Sequence, residues 1–475
     1  MNFEAIIGLE IHVEMKTKSK MFSPSPNSFG SDVNTNVNVL DMGFPGTLPV
    51  VNKQAVINAI RVCNALHMNI DHEIWFDRKN YFYADLPKGF QITQDKRPIG
   101  SNGYVILNTS NGERKINIER LHMEEDTCKQ LHMSDYSLLD YNRAGTPLIE
   151  IVSRPEIRNG EEARLYVEKI KSIVVYSDVS DGKMEEGSLR CDVNVSIRPV
   201  GSEKFGTKVE IKNLNSTSNV ERAIDFEIAR QEKLILSGQL VEQETRRFDE
   251  AKKETVLMRK KTDAADYKYF TEPNITPILL SNEFVENAIN TCPELADFKL
   301  ARYKEKLGLS DYDADILLQD KEISEYFDKA CAFTTSYKLL CNWMMVDVAS
   351  FLNKNAIKIK DFKVSPEHLA KLVNMVEKGT VSSKQARQLL EKMVETDEDR
   401  NKIADKMNMT QICDENIILG FVTEVLDANP QSIEDFKAGK DRALGFLIGM
   451  VMKKSQGKAN PALTSKIVSQ ELNKR

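Results

Sequence analysis

Glu10 and His12 stand two residues apart in Gly8-Leu9-Glu10-Ile11-His12-Val13-Glu14, where apolar and polar residues alternate. On a β-strand this puts Leu9, Ile11 and Val13 on one side and Glu10, His12 and Glu14 on the other. The carboxylate and the imidazole then lie side by side, about 6.6 Å apart along the strand. Such a pair can share a hard cation or hold phosphate-bound water. It can equally be the solvated side of an antiparallel sheet. Glu150 adds weight to the first reading. It interrupts the apolar run Pro147-Leu148-Ile149-Glu150-Ile151-Val152. A carboxylate partly buried there needs a metal or a cationic partner, and Arg143 or Arg154 could supply the latter. Glu124-Glu125-Asp126 follows another strand-like run, as a solvated turn or as a shelf for magnesium.

Two further strands repeat the alternation. Arg190, Asp192 and Asn194 share one face, and Lys208, Glu210 and Lys212 share another. Several strands with one apolar and one charged side imply a curved sheet, helices behind it and a polar, concave active face. The segment Lys79–Gln91 mixes aromatics with Lys79, Lys88 and a glycine turn. Its lysines can neutralise phosphate and its aromatics can wall an adenine, or it is simply a hairpin with a half-exposed aromatic side. No GxxxxGK[ST], GxGxxG or GxSxG motif is present, so neither a P-loop, a dinucleotide fold nor a nucleophile elbow is supported.

Short alternating runs at 6–13, 104–107, 116–121, 148–152, 189–197 and 208–212 read as strands. Apolar residues at helical spacing follow Asn159-Gly160 and run from about Ser218 to Gly238. Proline separates two halves, with 12 of the 15 before residue 294. The second half is helical: Ser365-Pro366 and Asn460-Pro461 are N-cap and first-turn pairs, and Asp441–Met452 carries one apolar stripe. The fold class expected is α+β with a mainly antiparallel sheet, followed by all-α segments.

The 475 residues carry 65 basic and 71 acidic side chains, a net charge of −6. That excludes a globally basic nucleic-acid binder but not a local basic patch. The seven cysteines form no CxxC pair, which argues against a disulfide framework and for a reducing cytoplasm. No signal sequence and no apolar run of about 18 residues is seen.

The ordered motifs are similar to those of the B subunit of bacterial aspartyl/glutamyl-tRNA amidotransferases. They include Ile7–Val13, Thr17–Ser23, Gly46–Asn52, Arg78–Gln91, His122–Asp126, Asp140–Glu150, Ser188–Asn194, Glu210–Ser216, Asp266–Pro273 and Gly457–Pro461. The resemblance spans essentially the whole chain. It implies an ATP-dependent carbon–nitrogen ligase with glutamine as amide donor. ATP and Mg²⁺ serve to phosphorylate the side-chain carboxylate of misacylated Glu-tRNA(Gln) or Asp-tRNA(Asn). Ammonia from a partner amidase then displaces the phosphate, and a small third subunit ties the two larger ones into a heterotrimer.

The resemblance further implies a glutamine-synthetase-like cradle over residues 1–293, a helical domain over 294–405 and a tRNA-binding helical tail over 406–475. By motif match, Glu125, Glu150 and His12 are the first metal ligands, with Glu10, Asp192 and Glu210 for a further metal or for water. Lys79, Lys88 and Arg190 are candidates to hold phosphates, and Tyr81 to flank nucleotide or aminoacyl end. Many family members carry a CxxC zinc knuckle where this chain has Asn38 and Asp41, which counts against structural zinc and leaves hydrogen bonding to complete those turns. Candidate tRNA contacts are Lys453–Lys458 and the Lys252-Lys253 and Arg259-Lys260-Lys261 clusters. A catalytically silent tRNA scaffold would not need Glu150 in an apolar strand, and a free-standing carboxylate kinase would not need the long helical region.

Overall fold

The computed structural model describes residues 2–260, 266–395, 412, 414–437, 440 and 442–475. The expected boundary near residue 405, Lys261 and Asp441 lie outside them. The chain forms two compact units, residues 1–296 and 297–475.

The first unit is built on a nine-stranded sheet. From one edge the strands are Glu254–Lys260, Glu244–Asp249, Val209–Leu214, Leu189–Pro199, Phe3–Glu14, Pro147–Ser153, Gly112–Glu125, Gly100–Thr109 and Asn69–Ile70. Only the Val209–Leu214 and Glu244–Asp249 pair is parallel. The alternation read from the sequence decides which side is buried. Leu9, Ile11 and Val13 are fully buried, as are Ile149 and Ile151 on the adjacent strand. They share one core with helices Lys53–Ala65, Gly160–Tyr176 and Thr217–Leu236. Asn159 caps the second of these by accepting from the Glu162 N–H at 2.8 Å, and Ser216 caps the third. A three-stranded sheet, Phe270–Thr271, Asp77–Asn80 and Phe90–Thr93, stands beside the large one. Lys79 opposes Gln91 in it, so the segment is a hairpin, with Gly89 at φ 76° in its turn.

One reading is corrected by this fold. Glu124-Glu125-Asp126 is no solvated turn: the strand runs on to Glu125, and all three acids are buried. Neighbouring strands and loops cover them from both faces, which a local run of acids cannot reveal.

The second unit is helical. One core holds the helices between Ala296 and Glu395 and another those between Glu415 and Lys474. Ser365 and Asn460 cap their helices through the His368 and Leu463 N–H groups at 3.2 and 3.0 Å. Among the described residues, no helix is long and apolar enough to cross a membrane.

At the loop carrying Asn38 and Asp41, side chains do the cross-linking. Asp41 accepts from Ser23 Oγ at 2.6 Å, Ser25 Oγ at 2.5 Å and the Asn38 N–H at 3.0 Å, with Lys20 Nζ at 3.5 Å. Asn38 Oδ1 accepts from the Leu40 and Asp41 N–H groups. Lys20 and Asp41 are only 1% and 4% exposed, so each charge depends on the other. Asp41→Ala strands the Lys20 ammonium. We expect it to destabilise the first unit by about 3–5 kcal/mol, read as a lower denaturation midpoint and faster proteolysis of the 20–47 loop. An unchanged midpoint would refute this role.

Candidate active site

Strand register carries the polar side chains across the sheet. His12 opposes Glu150 on one side and Arg190 on the other, and Glu150 opposes His122. Directly opposed residues share a face, so His122, Glu150, His12 and Arg190 form one row. The next row reads Arg120, Val152, Glu10 and Asp192. Glu124 lies two residues beyond His122 on the same strand and face.

The centre of the site is one carboxylate between two imidazoles. Glu150 Oε2 lies 3.2 Å from His12 Nε2 and 3.2 Å from His122 Nε2. Glu124 approaches the same rings at 4.0 and 3.6 Å. Burial disfavours the imidazolium of His12, but its hydrogen bond to Glu150 and the charges of Glu150 and Glu124 outweigh that and raise its pKa. The same balance lifts His122 to about 9. Burial opposes the Glu150 carboxylate, yet the two imidazoles hold it well below the usual range. One ligand atom each from His12, Glu124 and Glu150 falls within 4.8 Å of the others.

A second acidic group adjoins the first. Glu10 accepts from Asn194 Nδ2 at 3.0 Å, and burial, with Glu150 and Asp192 close by, raises its pKa. Lys212 pairs with Asp192 and stands 3.3 Å from Glu210, which also accepts from Thr245 Oγ1 at 3.0 Å. Burial works against the Lys212 cation, but these two acids keep its pKa above the ordinary value.

Both groups line a cavity of about 1130 Å³. Tyr81, Tyr83, Tyr267 and Tyr269 wall it, with edge contacts of 5.8–6.1 Å between successive rings. Lys79 Nζ sits 4.8 Å from the Tyr267 ring centre. Lys208, Arg259 and Arg120 also line it, and none makes an ion pair among the described residues.

Of the residues singled out from the sequence, Glu10, His12, Lys79, Tyr81, Glu150, Asp192 and Glu210 line this cavity. Glu125, Lys88 and Arg190 do not. Strand alternation turns Glu125 to the opposite face from Glu124. There it pairs with Lys88 and accepts from the Ile92 N–H at 2.9 Å. Arg190 is drawn to buried Asp126, its Nη2 2.5 Å from Oδ2, with Arg143 Nε at 3.6 Å. Burial opposes the Asp126 carboxylate, but the two arginines lower its pKa, while burial and Asp126 push Glu14 up to about 8. Neither Arg143 nor Arg154 reaches Glu150. Arg154 donates to Asn102 instead, and the partners are His12 and His122. His122 and Arg120 have no role in the sequence reading, and Glu124 enters it only as part of a candidate magnesium shelf. Their signal was present, since Leu121 and Met123 alternate with them as Leu9 and Ile11 do with Glu10 and His12.

A mixed fold whose antiparallel sheet presents acids and imidazoles to a large cavity defines a class. Residues 5–286 match the GatB/GatE catalytic domain, and residues 325–472 match the GatB domain. The B subunit of an aspartyl/glutamyl-tRNA(Asn/Gln) amidotransferase from Geobacillus thermodenitrificans is 51% identical over the full length of both chains. The B subunit of the Oceanobacillus iheyensis amidotransferase is likewise 51% identical over both full lengths. The chain therefore belongs to the B-subunit family of aspartyl/glutamyl-tRNA(Asn/Gln) amidotransferases, one component of a multi-subunit ligase.

His122 gives a pH test of the cluster. Its folded-state pKa is above its ordinary 6.5, so its protonation favours the folded chain. That contribution is complete below 6.5 and is lost as pH rises through about 9. In the metal-stripped chain we expect an NMR titration of His122 near 9, lowered by about one unit or more in Glu150→Gln. An ordinary imidazole titration in the unsubstituted chain would contradict the geometry.

Proposed function

We propose that this protein is the carboxylate-activating subunit of the amidotransferase. It forms a cytoplasmic heterotrimer with the amidase and a small third subunit, and its substrates are Glu-tRNA(Gln), Asp-tRNA(Asn) or both. The observation that carries the reading is the His12, Glu124 and Glu150 triangle facing a large cavity, which also holds cations without ion pairs among the described residues. The two carboxylates suit Mg²⁺ or Mn²⁺, and the His12 imidazole can join them as a neutral nitrogen ligand. In this reading Glu124 takes the ligand position that motif matching assigned to Glu125. Glu10, Asp192 and Glu210 form a second candidate set, whose use for an ion requires Lys212 to move aside. When bound, the divalent ion screens repulsion between two anionic reactants.

The reaction has two steps. An oxygen of the misacylated side-chain carboxylate bonds to the γ-phosphorus of ATP, and the bond to the bridging β–γ oxygen breaks, releasing ADP. Ammonia from the amidase then attacks the acyl phosphate carbon, phosphate leaves with the bonding pair, and the nitrogen loses a proton to give the amide. Lys79, Lys208 and Arg259 are free to hold phosphate oxygens, and Tyr81 to flank the adenine or the aminoacyl end. No phosphate role is given to Lys88 or Arg190, because Glu125 and Asp126 engage them. The sheet is read as the floor of a glutamine-synthetase-like cradle, in the scheme of cradle 1–293, helical domain 294–405 and tail 406–475.

For tRNA, Lys453 and Lys458 flank the turn between helices Arg442–Lys454 and Pro461–Lys474, while Lys454 pairs with Glu424. Replacing Lys453 and Lys458 by Glu is expected to weaken tRNA binding and reduce the salt slope by about one for each lost phosphate contact. An unchanged slope in filter binding would remove the turn from the interface. For the chemistry, Glu124→Gln and Glu150→Gln in the reconstituted complex should each cut ATP-dependent amide formation by about 10²-fold or more while tRNA affinity persists. Unaltered turnover in both variants would refute the ligand assignment.

A further inference from the structure

Two oppositely charged side chains in the cavity wall have no ion-pair partner among the described residues. The Nε of Arg120 is buried and makes no hydrogen bond, and its guanidinium meets no carboxylate within ion-pair distance among the described residues. The Oδ1 of Asp85 is buried and equally unsatisfied, and its carboxylate makes no ion pair there. Their neighbours differ. Glu150 has two imidazoles, Glu10 has Asn194, and Asp192 and Glu210 have Lys212. Both side chains are half-buried, and a buried polar atom left without a partner is costly, so such atoms persist in folded proteins where a ligand supplies the missing group.

Both charges line the same cavity as the acid–imidazole cluster. Arg120, His122 and Glu124 project from one face of one strand. Tyr81 feels the charge of both Glu124 and Asp85, and Tyr269 that of Glu124 and Arg120. The two do not satisfy each other. A single ligand that carries both a cation and an anion answers the charge of each. A nucleoside triphosphate answers Arg120 through its phosphates but has no cation of its own to neutralise Asp85 at neutral pH. An aminoacyl ester of Glu or Asp has the required pair. Its α-carboxylate is consumed in the ester, leaving one α-ammonium and one side-chain carboxylate.

We propose that Asp85 binds the α-ammonium, and Arg120 the side-chain carboxylate, of the tRNA-borne aminoacyl group. The two are specificity-determining residues that hold the group beside His12, Glu124 and Glu150. This assignment rests on the carboxylate-activating reading above and names the amino-acid subsite within it.

The test uses the reconstituted heterotrimer with ammonium chloride as nitrogen donor, and compares Glu-tRNA(Gln) with N-acetyl-Glu-tRNA(Gln), which lacks the α-ammonium. For the unsubstituted complex, the acetylated substrate should show a KM about tenfold or more higher. Asp85→Asn should raise KM for Glu-tRNA(Gln) to the acetylated value and leave the acetylated value unchanged, with Asp85→Glu restoring part of the difference. Arg120→Gln should raise KM for both aminoacyl-tRNAs without moving KM for ATP, and Arg120→Lys should recover part. Equal KM values for the two substrates with the unsubstituted complex would overturn the ammonium subsite, even if no variant folds. So would an Asp85→Asn effect of equal size on both. A rise in KM for ATP in Arg120→Gln would move Arg120 to the nucleotide and overturn its part. Failure of the unsubstituted complex to amidate either substrate would instead sink the carboxylate-activating reading.

Discussion

Glu150 between two imidazoles is the constraint around which the first unit is organised. A carboxylate inside an apolar strand is tolerated only with cationic or metal partners. Here the partners come from the strands on either side, His12 from one and His122 from the other, each 3.2 Å from the same oxygen. That arrangement demands a single register for three strands. A slip of one residue would turn His12 and Glu150 into the helix-packed core and bring Ile11 and Ile151 to the cavity. The apolar core and the acid–imidazole row therefore enforce each other.

The same interaction sets the chemistry of the floor. The imidazoles gather charge that would otherwise repel, and they pin Glu124 and Glu150 close enough to share a ligand. Because a metal-bound imidazole nitrogen must be deprotonated, the metal role proposed for His12 would link ion uptake to proton release.

Charge elsewhere in the unit is divided between closed and open groups. Lys88 with Glu125, Arg190 with Asp126, and Lys20 with Asp41 are internal pairs that tie loops to the sheet. Lys208, Arg259, Arg120 and Asp85 face the cavity without ion pairs among the described residues. This division separates side chains that build the cavity from those left available to a ligand. The Asp41 group also has a structural meaning. Two serines, one amide N–H and a lysine complete its coordination, so the loop is cross-linked by hydrogen bonds through the side chains this sequence has there.

Local pattern in the sequence determined the mixed class, the mainly antiparallel sheet and the helical second half. Period-two alternation marked the strands around His12, Glu150 and Asp192, and caps such as Asn159, Ser365 and Asn460 marked helix starts. These signals act over a few residues, so they survive without knowledge of the fold. Which acid stands beside His12 was a different matter. Glu124 and Glu125 are adjacent and chemically alike, and only the length of their strand and the elements on its two faces send one to the cavity and the other to Lys88. The partners of Glu150 and Arg190 were likewise decided by strands far apart in the chain. Alternation tells which residues share a side of a strand. Register, set by burial and hydrogen bonding across the whole sheet, tells which of them meet, and that is a property of the tertiary structure alone.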